Sequence, residues 1–355
     1  MACVDVRRDL LHQLKGQGLH LPDLRLLFKH WPTNVNPNLE GLRALAPGRI
    51  DNLTSCVKKR KAAGKIDVGL FTSLWYPGAG LQCGDMISCV VLWLFLWDDE
   101  IDTEVGRLAG DMEAAKLYRQ ETIEYVHRCL GLSGDVRQHN TPANEIIAFF
   151  KIIGDAVCEA YDHEHRELLF REIEFFMETS EVEQQRRLSS ELPSTEEYLA
   201  TRMGTGAVNV CTILNEAAYG ISLSVDILRD VHMKVIWDQT NILVCVVNDL
   251  LSLKKEIDQQ SVESIVPLLY NNLGSLAAAV SMVIEIIEKS IKEFDSAAAL
   301  LLNKFAGDEA LVSNLKIYID ACRLNCTGNL NWSLQTGRYG VSQQTITGGV
   351  TMRLG

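Results

Sequence analysis

Positive charge is in short supply in this sequence. Its 355 residues carry 34 Lys and Arg against 46 Asp and Glu, for a net charge of −12. So acidic a chain generates no field that would gather a nucleic-acid backbone, and nucleic acid is excluded as a partner. Paired cysteines are also missing. None of the ten cysteines forms a CxxC pair, and most lie inside apolar helical patterns. That argues against structural zinc and a disulfide framework, and for reduced core thiols in a cytoplasmic protein. The start, Met1 to Arg8, has no apolar segment of the kind a secretory leader needs. The glycosylation-like triplets at Asn52, Asn325 and Asn331 therefore carry no meaning. No apolar run approaches the roughly 20 residues of a membrane span. Strand-type alternation is weak, no hairpin dipeptide stands out, and neither a repeat nor a linker divides the chain.

What is present is helical periodicity and a 47% hydrophobic content, enough for a large core. Residues 1–38, with Pro22, Pro32 and Pro37, read as an irregular segment packed on the body. Helical patterns follow at about 39–61, 82–103, 109–130, 143–169, 170–187, 231–257, 275–303 and 309–327, with a short aromatic segment at 67–76. Gly131 to Pro142 reads as a polar loop. Ser194 and Glu197 have capping-box spacing. Gly204 and Gly206 interrupt the next helix and predict a kink, a close backbone approach, or a break between two helices. Lys58 to Lys61 reads as a solvated helix end, and His163 and His165 as surface residues. The chain is therefore expected to be all-α, one helical domain over 1–340. The Gly- and Thr-rich tail at 341–355 should be mobile unless a ligand orders it.

The most informative stretch runs from Val90 to Asp102: eight apolar residues, then Asp98-Asp99-Glu100-Ile101-Asp102. Apolar side chains on every face indicate a helix buried all round. Asp98 and Asp102 are four apart, so they share a face about 6 Å apart along the axis. Like charges at that spacing repel, and the helix C-terminus adds to the cost. A hard divalent cation such as Mg²⁺ relieves both. An isolated acidic helix end is often merely solvated, but the apolar run before this one points its acids toward the interior.

Residues 241–256 repeat the theme. Asn248, Ser252 and Glu256 follow an apolar run at i, i+4 and i+8, so an amide, a hydroxyl and a carboxylate form a slanting line on one helical face. Alone they make a weak chelate that needs further oxygens from a ligand such as phosphate.

Together the two stretches resemble the class I terpene synthases, whose facing helices carry DDxxD and ND-x-x-S-x-x-x-E motifs. Both are matched here without substitution, at Asp98–Asp102 and Asn248–Glu256. Arg202, 46 positions before Asn248, stands where the family has a diphosphate-sensing arginine. Thr205 and Gly206 fall at its linker and helix-break positions, although the linker is often acidic in bacterial members. Asn331-Trp332-Ser333 followed by Arg338-Tyr339 resembles the family's closing Arg-Tyr pair. The resemblance covers about residues 60–340 and implies an α-helical bundle around an apolar cavity. It further implies three Mg²⁺ ions, two held by Asp98 with Asp102 and the third by Asn248, Ser252 and Glu256. Arg202, Lys255, Arg338 and Tyr339 would bind the diphosphate of an isoprenoid substrate. Ionisation would leave an allyl cation, which needs a dry pocket and aromatic faces. Phe95, one turn before Asp98, is expected to supply one such face, with Phe71 and Trp332 by resemblance; Trp75, Phe149, Phe150, Phe175 and Phe176 are weaker candidates. The implied reaction is cyclisation of farnesyl diphosphate to a sesquiterpene. The alternatives are a diterpene synthase using geranylgeranyl diphosphate, a chain-elongating prenyltransferase, which would need a second Asp-rich motif, and a non-catalytic helical binding protein. A homodimer is one assembly left open.

Overall fold

Asp, Asn and Ser side chains start most of the helices. The computed structural model describes residues 6–102, 106–133, 141–189, 191–341, 345–346 and 348–355. In chain order the elements are α1 (Val6–Leu14), β1 (Gly18–Pro22), α2 (Leu39–Leu53), α3 (Val57–Gly64), α4 (Val68–Trp75), α5 (Leu81–Asp102) and α6 (Met112–Cys129). Then come α7 (Glu145–Ala160), α8 (His163–Leu188), α9 (Thr195–Thr205), α10 (Val208–Ile213), α11 (Asn215–Tyr219) and α12 (Val225–Leu228). The chain closes with α13 (Val231–Asp258), α14 (Ile265–Leu273), α15 (Leu276–Lys304), α16 (Glu309–Gln335), β2 (Thr345–Ile346) and β3 (Gly349–Arg353). Asp111, Asn144, Asp162, Asp230, Ser275 and Asp308 each accept a hydrogen bond from a first-turn amide, satisfying donors the helix leaves orphaned. Ser194 and Glu197 form the expected reciprocal capping box. Part of the loop expected at 131–142, residues 134–140, lies outside the described residues.

The all-α reading holds, with α5 at the centre. Ile87, Leu92, Trp93 and Trp97 are fully buried. Among the described helices, α5 alone has the length and apolar content to cross a bilayer, because its Cys, Ser and Gly residues extend the run; most of it is buried inside the protein, the position of a core helix. α13 packs against α15 and α16, α16 against α4, and α4 against α2 and α5.

Several expectations are corrected. The N-terminal segment is not irregular throughout, and the tail is not free. β1, β3 and β2 form a small antiparallel sheet in the order β1-β3-β2, with Leu19 opposite Met352 and Leu21 opposite Val350, all four buried. Five residues at each end of the chain carry too little periodicity to register alone; pairing across more than 320 positions gives each a buried face. The boundary between α7 and α8 falls at Tyr161-Asp162, not at 169–170, because Asp162 caps α8. His165 is turned inward: its Nδ1 meets Asp162 at 2.7 Å and its Nε2 meets the Leu223 carbonyl at 2.9 Å. His163 is exposed, as expected. Lys59 folds in to an ion pair with buried Glu100, so the basic run at 58–61 is not wholly solvated. α16 continues eight residues past its expected end and so carries Trp332 on the helix.

α16 can lie against α4 because Gly328 has no side chain. A Cβ there would sit 2.4 Å from the Leu74 carbonyl oxygen, which is backbone and cannot swing away. The contact aligns Phe71 on α4 with Trp332 on α16. Gly328→Ala is expected to lower stability by about 2 kcal/mol or more through overpacking. Gly307→Ala, which meets nothing within 4 Å, should change stability by less than ~0.5 kcal/mol. Denaturant unfolding of the two variants checks this.

Candidate active site

α5 and α13 form two walls of a cavity of about 650 Å³. The principal site residues expected from the sequence line it: Phe95, Asp98 and Asp102 from α5; Asn248, Ser252, Lys255 and Glu256 from α13; Arg202, Thr205 and Gly206 from α9 and its end; Phe71, Trp332, Arg338 and Tyr339 from the rest. The exposed Asp258, Gln259 and Gln260 also line it and mark its mouth.

The acidic wall is crowded. Burial, followed by the charges of Asp102, Glu183 and Asp99, holds the Asp98 carboxyl well above the usual carboxylate range. Glu183, on α8, is pushed up to about 7 by burial and by Asp102. Two arginines offset part of this charge. Arg187 donates from Nη1 to Asp102 Oδ1 and from Nη2 to the Ile101 carbonyl, both at 2.7 Å. Arg338 donates to Asp99 Oδ1 at 3.2 Å.

On the facing wall, Asn248 is held at both ends of its amide. Oδ1 accepts from Arg202 Nη2 at 2.9 Å, and Nδ2 donates to the Tyr339 hydroxyl at 2.6 Å. Ser252 donates to Glu256 Oε1 at 2.5 Å. The other oxygen, Glu256 Oε2, is buried with no partner in hydrogen-bond geometry, and burial raises this carboxyl too. Asp249, the residue after Asn248 on α13, lines the same cavity. It accepts from the Tyr198 hydroxyl at 2.6 Å and lies 3.3 Å from Arg202 Nη2, so it aims the arginine that Asn248 receives.

α9 ends at Thr205, and Ala207 takes a left-handed conformation (φ 49°) before α10 begins. Of the readings the two glycines allowed, a break between helices is what forms. The close approach is real as well: a Cβ on Gly206 would meet Cys245 Sγ at 2.4 Å. The Thr205 hydroxyl is buried with no partner in hydrogen-bond geometry.

The aromatic wall brings the three expected rings together, with Trp75 stacked on Phe71 at 4.5 Å and Tyr339 against Trp332 at 5.5 Å. Phe71 meets Trp332 at 5.2 Å and Phe95 at 6.4 Å, edge to face in both cases, and Phe95 lies 5.8 Å from Trp332. The Arg338 guanidinium stands 4.7 Å over the Phe95 ring, joining the cationic rim to the apolar floor. Trp332 is anchored by its indole N–H to the Ile66 carbonyl at 2.7 Å. Of the weaker candidates, Trp75 and Phe176 line the cavity. Phe150 packs on Trp93 in the core, Phe149 is buried elsewhere, and Phe175 is partly exposed.

Sequence reasoning missed Glu183, Arg187 and Arg7, all of which line the cavity. Glu183 and Arg187 sit four apart at the end of α8, a spacing that reads as an ordinary surface ion pair. Only the packing of α8 against α9 and α6 turns them inward.

Among the described residues, no three His, Cys, Asp or Glu side chains already converge on one point. The donor set nevertheless suits a hard cation. It offers an amide, a hydroxyl and carboxylates, with one buried carboxylate oxygen outside hydrogen-bond geometry and several acids crowded together.

Residues 89–293 match the family described as terpene synthase family 2, C-terminal metal binding. The chain is 36% identical over 348 residues to the sesquiterpene cyclase hepA of Aspergillus oryzae, covering 95% of this chain and 93% of that one. It is 28% identical to the terpene cyclase braA of Annulohypoxylon truncatum, over 95% and 90% of the two chains. The fold matches a solved cucumene synthase variant with a TM-score of 0.74 at 15% identity, over 87% of this chain and 98% of that one. A linalool/nerolidol synthase from Streptomyces clavuligerus superposes with a TM-score of 0.69 at 18% identity, over 85% and 98% of the chains. The match over more than half the length and the near full-length relative agree with the cavity and its two oxygen-bearing helices: the chain belongs to terpene synthase family 2 and is a class I terpene synthase.

Proposed function

We propose that this enzyme ionises farnesyl diphosphate with the help of Mg²⁺ and cyclises the resulting cation to a sesquiterpene, releasing diphosphate. One observation carries the reading: two oxygen-bearing helix edges, four diphosphate donors and an aromatic cluster all line a single cavity. The 15-carbon chain length is supported by the relative named as a sesquiterpene cyclase. Asp98 and Asp102 would hold two Mg²⁺ ions, and Asn248, Ser252 and Glu256 a third. Bound metal supplies Lewis-acid neutralisation of charge on the departing diphosphate.

The protein's own groups do the rest. Arg202, Lys255 and Arg338 present N–H donors, and Tyr339 an O–H donor, to the diphosphate oxygens. These donors meet the charge that develops on the leaving oxygen as the C–O bond lengthens. Arg202 is already aimed by Asp249 and Asn248, so little reorganisation is needed. Phe71, Phe95 and Trp332 then offer π faces to the allyl cation and exclude water from it.

Incubation with Mg²⁺ and farnesyl diphosphate should yield a cyclic product by gas chromatography, together with released diphosphate, and chelation should stop both. Geranyl and geranylgeranyl diphosphates should turn over more slowly; a preference for the 20-carbon substrate would favour the diterpene alternative. Asp98→Ala and Asn248→Ala should each cut turnover by at least ~100-fold, with far-UV circular dichroism unchanged. Wild-type rates in either would remove the metal assignment.

Lys255 predicts a pH dependence. Burial, reinforced by Arg338, lowers its ammonium to about 8. The charged form that meets diphosphate is therefore present below that value and lost above it. In the free enzyme kcat/KM should fall as pH rises through about 8. Lys255→Arg, whose charge persists, should carry the plateau to higher pH. A kcat/KM profile between pH 6 and 10 reads the difference.

A further inference from the structure

Arg7, in the first turn of α1, is remote in sequence from every motif and yet lines the cavity. Its guanidinium donates from Nε to Glu263 Oε1 at 2.5 Å, from Nη1 to the Ser189 carbonyl at 2.7 Å, and from Nη2 to the carbonyls of Arg186 at 2.7 Å and Glu191 at 2.8 Å. Four of its five N–H groups are thereby used. The partners come from two different lips of the mouth. Arg186, Ser189 and Glu191 belong to the end of α8 and the segment after it, where the negative end of the helix dipole favours a cation. Glu263 belongs to the segment between α13 and α14, just beyond Glu256.

Each lip leads to one oxygen edge. The last turn of α8 carries Arg187, which holds Asp102. The segment bearing Glu263 is tied back to α13 where the Ile265 amide donates to Asp249 Oδ2 at 3.3 Å. Among the described residues, the segments between α8 and α9 and between α13 and α14 have no regular structure of their own, and α1 itself is anchored by buried Leu10, Leu11 and Leu14. One planar fork on an anchored helix therefore bridges two segments that would otherwise be free to part.

We infer that Arg7 is a positioning residue that staples the two lips of the cavity mouth and so keeps bulk water from the carbocation. The inference rests on the cyclase reading above for its consequence, though not for the staple itself. When the staple is missing, water enters before ring closure. A water oxygen donates a lone pair to the cationic carbon, a C–O bond forms, and the oxonium loses a proton to solvent. The product is then an acyclic alcohol in place of a cyclic terpene.

The test compares wild type, Arg7→Ala and Arg7→Lys, with Glu263→Gln as a milder variant that keeps the guanidinium and its carbonyl bonds if Arg7→Ala does not fold. Hydrogen exchange in the metal-free, ligand-free protein should be at least tenfold faster in Arg7→Ala at the amides around Ser189 and from Gln259 to Ser264, and unchanged in α15. With farnesyl diphosphate and Mg²⁺, the acyclic alcohol per diphosphate released should rise at least threefold in Arg7→Ala. Arg7→Lys, which restores charge without the fork, should fall in between. Unchanged exchange overturns the staple. Faster exchange with an unchanged product partition in a folded variant overturns its role in excluding water. If wild type does not turn over farnesyl diphosphate, the cyclase reading fails, and the exchange data still decide for or against the staple.

Discussion

Acidic side chains crowded into a partly desolvated cavity are the constraint around which this structure is arranged. Asp98, Asp102, Glu183 and Glu256 line one space. In that low-dielectric setting burial and neighbouring acids make Asp98 and Glu183 costly to ionise, and burial with Asp249 does the same to Glu256. The fold meets this by spending its arginines there. Arg187 takes Asp102, Arg202 lies between Asn248 and Asp249, and Arg338 takes Asp99. These pairings are incomplete, and the incompleteness fits the function. A carboxylate oxygen left outside hydrogen-bond geometry at Glu256 is a poor feature in a core and a useful one beside a cation.

The same charges require a rigid apolar frame. α5 reaches the cavity with its acids only because the preceding turns are buried on every side. α16 brings Trp332 against Phe71 only because Gly328 admits the α4 backbone. Tyr339 then follows the end of α16 closely enough to meet Asn248. Thus the packing of α4, α5, α13 and α16 joins a cationic rim to an aromatic floor, and Arg338 over Phe95 is where the two meet.

Much of this was legible. Apolar runs ending in oxygen-bearing residues identified α5 and α13 and the chemistry of both edges. The capping box at Ser194 and Glu197 and the long helices followed from local rules that need no tertiary context. The failures share a cause. His165, Lys59, Glu183 and Arg187 carry polar side chains that local pattern assigns to solvent; Glu183 instead lines the cavity, and the other three turn inward to a partner distant in sequence or on another element. Arg7 is the extreme case, with partners between 179 and 256 positions away. The strands failed for a related reason: five residues have no face until another strand supplies one.

The amino-acid order by itself determined most of the long helices and which of them end in a line of oxygen donors, because both follow from side-chain period and from chemistry within a few turns. The tertiary structure alone decided that α5 and α13 share one cavity, which arginines offset its acids, and how chain position 7 comes to span the mouth. Those outcomes depend on packing between elements hundreds of residues apart, and helical periodicity carries no record of such distances.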